Sequence, residues 1–219
     1  MITFFDFETN GLIDRKLPWD HPSQCHIASM AAVCFEASIL EEIEALSSQD
    51  ITVAEACNQL NDLVARRECN SLHFHIKPDG WTMPDEVAAI NGLTMPLLEK
   101  TGVPMRVAMN LLDHLFFLSE HAISYNMSFD GFLYDVTRTR LGRQDFLQQT
   151  KRHCAMHAAA ALLKLPGKYG DYAWPKLGQA YEHVFQIPLA GAHNGLIDTR
   201  ATAYLAFEMK RLGHWDLTF

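Results

Sequence analysis

The chain opens on an apolar run over residues 2–7, broken only by Thr3 and Asp6. That is the pattern of a central strand buried on both faces. After a turn at Asn10-Gly11, a second strand is predicted over 26–35, and a third, with alternating character, over 72–76 before the Lys77-Pro78-Asp79-Gly80 turn. These three read as sheet neighbours, and a fourth strand is predicted over 122–125. Helical spacing appears at Val53, Cys57, Leu60 and Val64, and again at Val87, Ile90 and Leu93. A longer helix is predicted over 103–118, with Val107, Leu111, Leu115 and Leu118 as one stripe. Further helices are predicted over 130–141, 154–165, 174–184 and 199–212. Strands lead and helices follow, without repeats or long polar linkers. The expected architecture is therefore one α/β domain over 1–219, a mixed β-sheet flanked by helices, with a helical insertion at about 36–71 between the second and third strands.

Composition narrows the class. With 219 residues, 48% of them hydrophobic and 20% charged, the chain can bury a sizeable core and is no disordered segment. No apolar run approaches the roughly 20 residues that span a bilayer, and Asp6 and Glu8 fall where a signal peptide would be apolar. Five cysteines, an odd number without framework spacing, suit a reducing compartment, so a cytoplasmic protein without membrane attachment is expected. The formal net charge of −8 argues against holding nucleic acid by bulk electrostatics. It leaves room for an acidic site whose positive charge comes from divalent metal. Much of the negative excess lies in the insertion, where eight acids face only Arg66 and Arg67. A solvated helical face is the plainer reading, and docking of a protein partner the alternative.

Asp6 and Glu8, two apart on a strand, project to the same side. Two acids at the end of a buried strand cost several kcal/mol unless a cation or proton compensates. Two further segments supply related chemistry. Asn126-Met127-Ser128-Phe129-Asp130 places an acid at a strand-to-helix turn, and His193-Asn194-Gly195-Leu196-Ile197-Asp198 places a histidine in a Gly-rich loop five residues before an acid. Taken singly, Asp130 and Asp198 read as helix N-caps.

Together, FFDFETNGL at 4–12, YNMSFD at 125–130 and HNGLID at 193–198 resemble the DnaQ-like 3′-5′ exonucleases of the DEDDh type, on the ribonuclease H-like fold. HIKPDGWTMPDEVAAINGLT at 75–94 also resembles the segment between the family's first two motifs. The likeness extends along the chain apart from the insertion. It implies that Asp6, Glu8, Asp130 and Asp198 hold metal and that His193 is the general base. A sister subgroup has tyrosine four residues before its last aspartate; that position is Asn194 here, which favours the histidine subgroup. The resemblance further implies that Thr9, Asn10, Gly11 and Leu12 line the 3′-terminal nucleotide, with Asn126 and Phe129 beside it.

The residue types agree with that chemistry. Two divalent ions held by four carboxylates can clamp a phosphodiester, and hard oxygen ligands suit Mg²⁺ or Mn²⁺. Histidine is the side chain that ordinarily titrates nearest neutrality, so His193 can take a proton from an attacking water. Gly191 and Gly195 would let its loop move. The expected reaction is stepwise hydrolysis of DNA from a free 3′ end, as in members of the exodeoxyribonuclease X and proofreading types. The alternative is an exoribonuclease of the ribonuclease T or oligoribonuclease type, and less favoured still is a docking module. Arg138, Arg140, Arg143, Lys151 and Arg152 form a candidate phosphate track, and Tyr169, Tyr172 and Trp174 candidate base-stacking rings. Oligomeric state is left open by the sequence.

Overall fold

The computed structural model describes residues 1–18, 21–143, 150–168 and 171–215. Tyr169, one of the candidate stacking rings, lies outside them. The chain order is β1 (Ile2–Thr9), β2 (Ile27–Phe35), α1 (Ile39–Ser47), α2 (Val53–Arg67), β3 (Glu68–His75), α3 (Asp85–Asn91), α4 (Met95–Thr101) and α5 (Met105–Phe117). Then follow β4 (His121–Ser124), α6 (Met127–Arg140), β5 (Lys151–Cys154), α7 (Ala155–Leu163), α8 (Leu177–Phe185) and α9 (Gly195–Arg211). The sheet runs β3-β2-β1-β4-β5, so β1 is central as expected. Its partner β2 and the β2–β3 pair are antiparallel, whereas β4 and β5 run parallel to their neighbours. This is the mixed sheet flanked by helices that the sequence predicts, with α1 and α2 as the helical insertion between β2 and β3. No helix of the described residues is long and apolar enough to cross a membrane.

Period two along β1 organises the interior. Ile2 and Phe4 face one core cluster, with Phe35 and α9's Phe207, where the three phenylalanine rings meet edge to face at centroid distances of 5.1–5.7 Å. Phe5 and Phe7 face the other, against Phe116 of α5 and Tyr134 of α6. Asp6 and Glu8 continue the Ile2-Phe4 row, so strand parity delivers both acids to the α9 side.

Four elements depart from the sequence reading. β5 was absent from it because Lys-Arg-His-Cys carries no apolar alternation; it is an edge strand, where charge is the usual guard against further pairing. α1 does carry a periodic signal, in buried Ile39, Leu40, Ile43 and Leu46, hidden among its glutamates. α4, with Pro96 in its first turn, is too short for a periodic pattern to show. On α5 the predicted stripe is rotated: Ala108, Met109, Leu112, Leu115 and Phe116 are buried, while Val107, Leu111 and Leu118 are exposed. Phe116 on the buried face meets Phe5 and Tyr134 edge to face, and Asp113 lies on that face too, so apolar spacing alone does not mark it. The insertion also ends earlier than expected, since 68–71 already belong to β3.

Candidate active site

Three elements bring the acids together. Asp6 and Glu8 stand near the C-terminal end of β1, beside a register shift at Glu8/Thr9 where β2 carries an extra residue. Such bulges re-aim side chains next to functional sites. Asp130 lies in the first turn of α6, and its Oδ1 accepts the backbone N–H of Phe7 at 3.2 Å, which ties the helix start to β1. Asp198 lies in the first turn of α9, capped by Asn194, whose side chain accepts from Ile197 N. Both helices thus present positively polarised N-terminal ends to carboxylates.

Glu8, His193 and Asp198 each offer a ligand atom, all within 4.8 Å of one another. The His193 backbone is left-handed (φ 69°), and its N–H donates to Asp198 Oδ2 at 2.9 Å. The other oxygen, Asp198 Oδ1, is buried without a hydrogen-bond partner among the described residues. A buried carboxylate oxygen left open in this way is costly in a protein interior. Gly195 is not part of a mobile loop, contrary to expectation: it is the buried first residue of α9. A methyl there would meet Ala31 Cβ at 3.4 Å, Asp6 Oδ2 at 3.6 Å and His73 Nε2 at 3.8 Å. The helix start has to approach the acids closely. Of the two glycines, it is Gly191, at φ 74°, that supplies a left-handed turn to the loop.

Every acid of the cluster is pushed toward its protonated form. For Asp6 burial raises the pKa most, followed by the charges of Asp130, Glu8 and Asp198. Burial, then Asp198, lifts Glu8 to about 7. Asp130 reaches about 7 through burial, although donation from the Phe7 amide and the Ser124 hydroxyl pulls it back in part. Asp198 is raised by burial against the opposing effects of the His193 amide and ring. Four neighbouring carboxylates, one with an open oxygen, and no ion-paired cation among the described contacts fit hard divalent cations.

The other sequence candidates divide. Thr9 donates to the Gly11 carbonyl at 2.6 Å, and Asn10 is occupied within the loop, accepting from His26 N and donating to the Thr82 carbonyl. Leu12, 86% exposed, is free to touch a ligand. Asn126 accepts from Ser128 at the start of α6, and Phe129 packs with the Phe5-Phe116 core. The basic track is largely structural. Arg138 and Arg143 bind Asp113, Arg140 donates to the carbonyls of His21, Gln24 and Cys25, and Arg152 forms a two-point pair with Asp135 at 2.8 Å. Asp145, the single acid between Arg138 and Arg152, lies outside the described residues.

Sequence reasoning gave His73 no place beside the acids. Its Nε2 is 3.1 Å from Ser29 Oγ, one strand over from Glu8, and lines the small cleft shared by Glu8 and His193. A histidine on an alternating strand gives no sign of this; only the β1–β2–β3 register does.

No protein-family profile and no curated protein sequence matches the chain. Among solved structures it is similar to E. coli exonuclease I in complex with a dT13 oligonucleotide, at 17% identity and a TM-score of 0.65 over 95% of this chain. The zinc-bound form of the E. coli exonuclease I–ssDNA complex gives 19% and 0.64, and a full-length 3′-exonuclease gives 15% and 0.62 over 97% of this chain. The chain spans 40% of the length of those exonuclease I chains and 60% of the 3′-exonuclease. At such identities the likeness establishes the fold, and it is the ribonuclease H-like arrangement that the motifs implied.

Proposed function

We propose that the protein is a metal-dependent 3′-5′ exonuclease that hydrolyses DNA, at single-stranded or frayed 3′ ends, to nucleoside 5′-monophosphates. The observation that carries this is the cluster of Asp6, Glu8, Asp130 and Asp198, raised together toward protonation, with an open oxygen on Asp198 and His193 at its rim. The fold shared with exonucleases bound to single-stranded DNA supports the same reading.

The four carboxylates would hold Mg²⁺ or Mn²⁺, two ions in all. Bound there, the cations supply charge neutralisation for the phosphodiester and acidify water. The chain's own groups do the rest. Asp6, fixed by β1, and Asp130, held by the Phe7 amide, would keep ligand oxygens in place for those cations. His193, exposed at the rim, takes the proton of the attacking water and can pass it to solvent. Leu12 and the Thr9–Gly11 backbone receive the 3′-terminal nucleoside, with Asn126 and Phe129, near the start of α6, beside it.

Docking through the acidic insertion gains little support, because five of the eight acids read into it serve the fold. Glu36 and Glu42 pair with Arg67, Glu44 with Lys210 and Glu68 with Arg200, while Glu55 caps α2. A cytoplasmic setting belongs to the same reading, supported by five free cysteines.

The test is digestion of 5′-labelled and 3′-labelled DNA and RNA oligonucleotides with Mg²⁺, Mn²⁺ or EDTA, using wild type and His193→Ala. A 5′-labelled DNA ladder that shortens stepwise only with metal, and far more slowly in the variant, is expected. Preference for RNA would move the protein to the ribonuclease T or oligoribonuclease type. No cleavage of either polymer would defeat the proposal.

A further inference from the structure

On the His193 side of the carboxylates the fold leaves a cavity of about 820 Å³. It shares His193 and Asp198 with the acid cluster, so it is continuous with the place where a phosphodiester would be cut. Its other walls are mainly apolar, from Tyr125, Met156, Trp174, Leu177 and Leu189. Trp174 is 63% exposed, unusual for the largest apolar side chain in a folded domain. It nonetheless has a ring neighbour and an anchored backbone beside it. The His157 ring lies against it with centroids 5.5 Å apart, and the carbonyl of adjacent, buried Pro175 accepts the Tyr125 hydroxyl at 2.7 Å. A flat ring held open over a nucleoside-sized hollow suits the face of a base, and Lys176 at the same rim suits the phosphate that follows it.

The cavity at Asn10–Leu12 differs. It measures about 330 Å³, is lined by Asn10, Leu12, His26 and Trp81 among others, and includes none of the four carboxylates. A phosphodiester at the acids has a nucleoside on each side. The reading above gives the 3′-terminal one to Thr9–Leu12, and this inference rests on that reading.

We propose that the His193-side cavity seats the nucleoside immediately 5′ of the scissile phosphodiester, its base stacked on Trp174 and its pairing edge turned into the protein. The preferred substrate is then a single strand at least two nucleotides long, and Trp174 is a binding residue for the second base from the end.

The test pairs a substrate change with a protein change. Single-stranded DNA with an abasic site at the penultimate position is compared with intact DNA and with an abasic site five positions further in, for wild type, Trp174→Ala and Trp174→Phe. In wild type the penultimate lesion is expected to raise KM about 5- to 150-fold, the range of one base stacked on an aromatic ring. Trp174→Ala should show the same rise on intact DNA and no further rise with the lesion, whereas Trp174→Phe should restore most of the difference. A 2-aminopurine at the penultimate position should be quenched on binding with Ca²⁺ to wild type and not to Trp174→Ala. Additive effects of lesion and variant, or no effect of either while the 3′ end is still shortened, would overturn this assignment and leave the nuclease reading standing. A wild-type protein that shortens no oligonucleotide would overturn both.

Discussion

Asp113 and Asp130 are equally removed from water, 8% and 3% exposed, yet they sit in opposite surroundings. Asp113, on α5, accepts from the Tyr134 hydroxyl at 2.8 Å and is flanked by the guanidinium groups of Arg138 and Arg143. Arg143 also reaches Asn110 Oδ1 and the Arg106 carbonyl, so this buried charge is answered on every side. Asp130, on α6, is answered only by neutral donors, chiefly the Phe7 amide and the Ser124 hydroxyl, and faces Asp6 and Glu8. One acid locks α5 to α6. The other belongs to a cluster whose repulsion the metal-free fold has to carry, as expected where a site is shaped for a ligand rather than for stability.

Substitution should separate the two sharply. Asp6→Asn is expected to lower nuclease turnover about 10³-fold or more, the size reached when one preorganised electrostatic contact to a transition state is lost. It should raise the melting temperature of the metal-free protein. Asp113→Asn should do the reverse, costing about 3–5 kcal/mol in denaturant unfolding because two guanidiniums lose their counter-charge, with activity per folded molecule retained. A destabilised, metal-free Asp6→Asn would break the comparison.

The pH dependence sharpens it. Carboxyls whose folded pKa is raised bind protons more tightly folded than unfolded. Their contribution is therefore fully present below about pH 4, the ordinary carboxyl range, and is lost as pH rises through about 7, where Glu8 and Asp130 titrate. Metal-free wild type should lose melting temperature between pH 5 and 8, and saturating Mg²⁺ should recover more at pH 8 than at pH 5. Asp130→Asn should flatten both trends. The smallest expected effect lies in the insertion, where Thr52 accepts from the Glu55 amide at the start of α2. Thr52→Ala should cost about 1 kcal/mol and leave nuclease activity as it was.

The same contrast explains what the sequence could tell. Asp6, Glu8, Asp130, His193 and Asp198 could be named as candidates because each sits within a motif and at the end of a patterned element. β1, β2 and β4 were legible through apolar runs, and α9 through its spacing. The Arg138–Arg143–Asp113 lock was not: its acid is 25 residues from the nearer arginine, and in sequence those arginines look like a phosphate track. His73 was hidden for a similar reason, since only sheet register brings it beside Ser29 and the acids. β5 and the rotated face of α5 depend on tertiary packing, which overrides local pattern.

The most direct test is calorimetric titration of the metal-free protein with Mn²⁺ at pH 8, alongside Asp6→Asn and Asp198→Asn. Saturable binding of two ions to wild type, weakened in both variants, is the expected result. Absence of saturable binding to wild type, or equal binding to all three proteins, would contradict the claim that these carboxylates are gathered to hold metal.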